Sequence, residues 1–180
     1  MTGSQVEGLV AVSAKLKSPA RSLLAKGLNA RRLNARGLTA KKLRSMGING
    51  AELRKLGFGA LDLRRAGFGA RDLRRAGFGV GHLRRAGFGA RALKRAGFNA
   101  GELFGAGFGA RDLRRAGFDL GDLRRTGFGV GELFGAVFSV ADLRGAGFDL
   151  GDLRSAGFNA RDLIKAGFSQ AEVNAAFKKK

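Results

Sequence analysis

The residues of this sequence that can do chemistry are arginines, lysines and carboxylates recurring at a ten-residue interval, and the chemistry open to them is electrostatic. Cys, Trp and Tyr are absent, and His82 is the lone histidine. Disulfides, thiolate metal sites, cysteine nucleophiles and histidine-based metal or acid–base clusters are thereby excluded. The carboxylates Glu52, Asp62, Asp72, Glu102, Asp112, Asp122, Glu132, Asp142, Asp152, Asp162 and Glu172 stand one to a unit, so they read as helix caps rather than as a catalytic pair. His82 takes that acid's place in its unit and is expected at the surface. Gly77-Phe78-Gly79 has a G-x-G pattern, but it arises where a helix stop meets a helix start, and a phosphate cradle needs more context. No catalytic residue, metal ligand, cofactor or small-molecule substrate is expected.

What remains is charge. The chain holds 34 Lys+Arg against 14 Asp+Glu, a net +20. Residues 1–100 carry 22 basic against 4 acidic side chains (+18), and residues 101–180 carry 12 against 10 (+2). From Gly8 to Ala51 there is no acid among ten basic residues, the footprint of an anionic partner. Within it Arg31, Arg32, Arg36, Lys41, Lys42 and Arg44 are expected to form the principal anion contact. Arg32 and Lys42 occupy the third helical position, where regular later units have an acid. A cation there opposes the helix dipole, and a phosphate at the helix start would compensate it. Lys26 and Arg36 also stand where later units have an Ala expected to face the core. Farther along, Arg74, Arg75, Arg84, Arg85, Arg91, Lys94 and Arg95 extend the basic surface. The paired basics fall in a last helical turn, where the dipole favours a cation by about 0.3–1 kcal/mol and explains part of the excess.

The elements that must position these charges follow from the repeat. Leu recurs every ten residues from Leu23 through Leu163. Gly follows four residues later from Gly27 to Gly167, failing only at Val137, and an apolar residue comes next: Leu28, Leu38, Ile48, then Phe58 through Phe168. The unit reads A-x-[D/E]-L-R-R-A-G-F-x, as in Ala70 to Gly79, about fifteen times over. A regular unit opens with a capping type or Gly (Asn29, Thr39, Asn99, Asp119 or Gly69), carries a capping-box acid from Glu52 onward except at His82 and Ala92, and closes on a Gly suited to the left-handed position of a Schellman motif. Gly77 is then C′, Phe78 C″ and Leu73 C3, which predicts a seven-residue helix of two turns. So short a helix needs neighbours that bury the Ala70, Leu73, Ala76 and Phe78 columns, hence an all-α solenoid. The alternative is a right-handed β-helix of pentapeptide type, since Leu and Phe alternate every five residues. It would turn Arg71, Arg91, Arg111 and Arg161 inward, burying unpaired charge at several kcal/mol each.

The motif A-x-x-L-x-x-A-G-F resembles the short decapeptide tandem repeats that form helical solenoids, over about residues 19–177. The resemblance implies scaffolds and binding surfaces, and it adds no catalytic residue. Residues 1–18 are an N-terminal extension, 19–177 the solenoid (strongly basic over 19–100, near neutral over 101–177), and 178–180 a Lys tail. The extension and first units have the composition of an organelle transit peptide, with Glu7 the one acid in the first 50 residues. Because the repeat already runs through this stretch, no cleaved presequence is expected. No apolar run approaches the roughly 20 residues of a membrane-spanning helix, so no membrane partner is expected. An intracellular site such as an organellar ribosome, a nucleus or a virion suits the composition.

These features lead to a non-enzymatic architectural protein whose basic half neutralises nucleic-acid phosphates, with salt-sensitive and largely sequence-independent affinity. RNA is preferred to DNA because a rigid basic rod suits bracing folded RNA in a ribonucleoprotein or virion-like assembly. Base stacking is not expected, the Phe column being committed to the core. The alternative is a protein–protein scaffold of a capsid, filament or cytoskeletal assembly. Phe104, Phe134 and Ile164 replace the first Arg of the pair at thirty-residue intervals, and Gly105 and Gly135 remove the second. With three helices per superhelical turn they would align as an apolar seam for a neighbouring protein. The N-terminal units, with charge in core columns and like charges repelling, are expected to be the less stable.

Overall fold

The computed structural model describes residues 2–178. Among these residues there are seventeen α-helices and no strand, a helical solenoid of short repeats. The chain divides into two compact units, Met1–Gly97 and Phe98–Lys180. The first contains α1 (Gly3–Ala14), α2 (Pro19–Ala25), α3 (Ala30–Asn34), α4 (Ala40–Ser45), α5 (Gly50–Lys55), α6 (Ala60–Arg65), α7 (Ala70–Arg75), α8 (Val80–Arg85) and α9 (Ala90–Arg95). The second contains α10 (Ala100–Gly105), α11 (Ala110–Arg115), α12 (Leu120–Arg125), α13 (Val130–Gly135), α14 (Val140–Gly145), α15 (Leu150–Ser155), α16 (Ala160–Lys165) and α17 (Gln170–Lys178). The β-helix alternative is not supported: no strand forms, and Arg71, Arg91, Arg111 and Arg161 are exposed.

One repeat shows why the sequence folds so. Gly69 is extended (φ −78°, ψ 164°) and its N–H donates to Asp72 Oδ2 at 3.2 Å, capping α7. The helix then runs six residues, one short of expectation, because Ala76 is the C-cap rather than the last helical residue. Gly77 turns left-handed at φ 87°. Its N–H donates to Arg74 O at 2.8 Å while Phe78 N–H returns to Leu73 O at 2.9 Å, the two bonds of the Schellman motif. Both ends of so short a helix are thus closed by its own unit. Ser139 and Ser169 show the same start with a hydroxyl added. The Ser139 side chain and N–H hydrogen-bond the Asp142 carboxylate and hold it below the ordinary carboxylate value, as Ser169 does Glu172.

The core is the expected set of columns. Every tenth residue from Leu23 to Leu163 is a fully buried Leu, Val173 continues the column, and Ala70, Ala76 and Phe78 are also buried. Lys26 and Arg36 depart from expectation. Both are exposed, so the cations do not intrude on the core; the column is buried from Leu56 through Ala96 and again at Ala136 and Ala166. Contacts beyond the adjacent helix run to the second helix after it: Ala30 N–H, at the start of α3, donates to Leu56 O, the C-cap of α5, at 2.7 Å. Between α2 and α5 they run to the third. Glu52 Oε2 accepts from Ala20 N–H at 2.7 Å, so this acid caps α2 rather than its own helix. Ser18 supplies no side-chain cap there.

The extension is also ordered. Thr2 and Gln5 form a capping box, and Val6, Val10 and Ser13 line the buried face of α1, with Ser13 Oγ 3.3 Å from Ser22 Oγ. The Val6–Val10 spacing and the Thr2-to-Gln5 box are the sequence signals of this helix. Of the Lys tail, Lys178 ends α17, and Lys179 and Lys180 lie outside the described residues.

Candidate nucleic-acid interface

The two arginines of each pair do different work. The first reaches across to the second helix onward: Arg44, Arg54, Arg64 and Arg74 donate from Nη1 to the C-cap carbonyls of Ala66, Ala76, Ala86 and Ala96 at 2.6, 3.0, 2.6 and 2.8 Å. Arg114, Arg124 and Arg144 repeat the bond to Ala136, Ala146 and Ala166. The same guanidinium lies over the next Phe, as Arg44 does over Phe68 at 4.5 Å and Arg64 over Phe88 at 5.1 Å. Each bond satisfies a carbonyl left over at a helix end, a charge-assisted interaction worth about 1.5–3 kcal/mol when shielded and less at these exposed edges. The clamp is not legible in the sequence, because its partner lies 22 residues away in a column that is otherwise uniform.

The second arginine points outward. Arg65, Arg75, Arg85 and Arg95 are exposed on four successive helices. In the C-terminal unit the same column reads Gly105, Arg115, Arg125, Gly135, Gly145, Ser155 and Lys165, and Arg125 is paired to Asp122 at 2.6 Å. The outward cationic column therefore belongs to Met1–Gly97.

The expected anion contact between Asn29 and Arg44 is split. Arg31 and Lys41 are exposed. Arg32 donates to Gly27 O at 2.7 Å while its own N–H is capped by Asn29 Oδ1, and Arg36 donates to Arg32 O at 2.9 Å. Lys42 is ion-paired with Glu7 of α1, and Arg44 is a clamp. The compensation expected of a phosphate at Arg32 and Lys42 is thus supplied inside the chain. Of the later residues, Arg74 is a clamp, Arg84 and Arg91 are exposed, and Lys94 is half-buried.

Arg71, which in the sequence argues only against the β-helix, belongs in the structure to a cluster of cations. Its Nη2 donates to Arg95 O at 3.0 Å, and with Arg74, Arg75 and Arg95 it surrounds a surface depression of about 530 Å³. Glu52 is engaged elsewhere, by Ala20 N–H and Lys55. Burial pushes its carboxyl up, but the bonds from Lys55 and Ala20 outweigh that and hold it below the ordinary carboxylate value. His82 is exposed with its ring edge-on to Phe78 at 6.3 Å. Among the described residues no three His, Cys, Asp or Glu side chains gather as metal ligands, and no helix is long and apolar enough to cross a membrane.

Phe104 and Phe134 occupy the clamp position without a donor. Each packs edge-on to the Phe 24 residues onward, Phe128 at 4.6 Å and Phe158 at 4.7 Å. They remain partly exposed, as does Ile164. A ring contact therefore replaces the cation–π contact, and the thirty-residue spacing is not the spacing at which these residues touch their own chain.

No curated protein and no solved structure matches the chain. The family model described as a decapeptide repeat region matches residues 37–110, 57–130 and 107–178. With most of its length so matched, and with the ten-residue helix-and-turn unit repeated as described, the chain belongs to the decapeptide-repeat family.

Proposed function

We propose that this is a non-enzymatic architectural protein whose N-terminal unit binds the phosphate backbone of nucleic acid, RNA in preference to DNA, within a large ribonucleoprotein or virion-like assembly. The observation that carries the reading is the division of labour within the arginine pairs. Clamping removes the first arginine from the reckoning, yet Arg65, Arg75, Arg85 and Arg95 still present an outward column in a unit of net +18. Regularly spaced guanidinium groups on a stacked scaffold suit a polyanion with regularly spaced charges, and they carry no base readout. The Phe rings of the repeat column, Phe58 through Phe168, are buried or half-buried, several of them under an arginine, which supports backbone binding over base stacking.

The test is RNA binding across a salt series. Arg75→Glu with Arg85→Glu should weaken binding and flatten the plot of log affinity against log salt, by about 0.7 for each phosphate of a single strand that is no longer neutralised and about 0.9 for a duplex. The same reversal at Arg125, already paired to Asp122, should change little. Equal effects at both places would refute the assignment.

A second reading draws on Phe134 and Val137, exposed by 50% and 65%, and on the nearly balanced charge of the C-terminal unit. That unit would meet a neighbouring protein of the assembly, with Phe104, Phe134 and Ile164 in its contact. Phe134→Ser should then release a protein contact while leaving RNA binding unchanged.

A further inference from the structure

The geometry points to a discrete phosphate site at the depression lined by Arg71, Arg74, Arg75 and Arg95, one that takes a phosphate group with two negative charges. This deepens the nucleic-acid reading, on which it rests only for the source of the phosphate. The cluster is built. Arg71 Nη2 and Arg74 Nη1 are held on consecutive carbonyls, Arg95 O at 3.0 Å and Ala96 O at 2.8 Å, so two guanidinium groups are set side by side before any ligand arrives. A guanidinium has five N–H donors, and a bond to one carbonyl leaves Arg71 others to give. Arg75 and Arg95 add exposed cations, and Ala96 and Gly97 complete the lining without bulk. No carboxylate lines the depression. Asp72, on the same helix as three of the arginines, is turned to the N–H of Gly69.

The chain contains its own control. At Arg111, Arg114, Arg115, Ala136 and Val137 the same device recurs around about 520 Å³, with Arg111 Nη2 on Gly135 O at 2.7 Å and Arg114 Nη1 on Ala136 O at 3.0 Å. There the residue equivalent to Arg95 is Gly135, and the Asp142 carboxylate is close enough to feel the charge of Arg114. One cation fewer and one anion nearby make it the weaker trap. Four converging guanidinium groups repel one another, and a dianion relieves more of that repulsion than a monoanion. A terminal phosphomonoester, whose second ionisation lies at about 6, and inorganic diphosphate each carry more than one negative charge near neutral pH, whereas a backbone diester carries one. The fork geometry of arginine suits such oxyanions.

The experiment is calorimetric titration of the full chain with inorganic diphosphate at low salt. One saturable site is expected. Arg95→Gln and Arg71→Gln should each weaken it about tenfold, as removal of one charge-assisted hydrogen bond does, and Arg111→Gln should leave it unchanged. Gly135→Arg should add a second site, since a side chain there meets nothing within 4 Å. Equal losses from Arg95→Gln and Arg111→Gln, or no saturable binding, would overturn the proposal. RNA with and without a 5′-phosphate identifies the source. A preference for the phosphorylated strand that Arg95→Gln abolishes supports the strand end, and diphosphate binding with no such preference overturns that source in favour of a free phosphate compound. Diphosphate binding without RNA binding would keep the site and refute the reading above. RNA binding without diphosphate binding would do the opposite.

Discussion

Among the described residues Val137 is the one other than Gly held at positive φ, 70°, where fourteen other units place Gly. A β-branched residue pays about 1–2 kcal/mol for that conformation, partly offset because Gly loses more freedom on folding. Val137→Gly should therefore raise stability by about 1 kcal/mol, read as a higher midpoint in denaturant. No rise would mean that the packing of Val137 offsets its backbone. The ordinary glycines of this column have a second duty at the clamps. A Cβ on Gly87 would collide with Arg64 Nη1, whereas one on Gly157, two helices after Phe134, meets nothing within 4 Å. Both Gly87→Ala and Gly157→Ala incur the left-handed strain, but only the former also displaces a clamp. It should cost about 1 kcal/mol more. Arg64→Ala should remove that difference.

At the scale of the helix, most of the six-residue elements have both ends closed within their own unit, α8, α9 and α11 starting instead on a Gly with no side-chain cap, and that closure is legible in the sequence. Capping acid, C′ glycine and C″ apolar residue lie within ten residues of one another, so local pattern suffices to place them. The exception is Glu52, which has the sequence of a cap for α5 and the role of a cap for α2. Nothing local distinguishes it from Asp62; only the packing of α2 against α5 does. Its folded-state pKa is depressed, so its contribution is present above the unfolded value of about 4.3 and is lost as pH falls through the lower, folded value. Glu52→Gln should speed hydrogen exchange at the start of α2 at neutral pH. The difference from the parent should shrink once the pH is below the folded value. A difference persisting there undiminished would assign the effect to altered packing instead.

For the whole molecule, charge is divided as the fold is. The break between +18 and +2 falls at the boundary between the two compact units, since Phe98, Asn99 and Ala100 carry no charge. The expected weakness of the N-terminal unit now rests on repulsion alone, because Lys26 and Arg36 leave the core intact. Salt should therefore protect that unit selectively. Toward about 1 M, where the screening length falls to about 3 Å, exchange at the Leu33 to Leu93 amides should slow more than at Leu113 to Leu163. Equal slowing in both units would attribute the effect to general salt stabilisation rather than to charge.

The ten-residue unit, its caps, its Leu and Phe core and the imbalance of charge were determined by the sequence, because each depends on residue type and on neighbours close along the chain. Which units meet was not. The period states that all units are alike, and an array of identical units looks the same whether each touches its first, second or third successor. Tertiary structure alone decided that Arg44 would reach Ala66 and that Phe104 would reach Phe128. It also decided that Arg32 and Lys42 would find partners in Gly27 and Glu7, and that Arg71 would join Arg95. The physical reason is that a guanidinium can bond any carbonyl within reach. Reach is set by how helices stack, and only the assembled solenoid separates the arginines that hold it together from those left facing solvent.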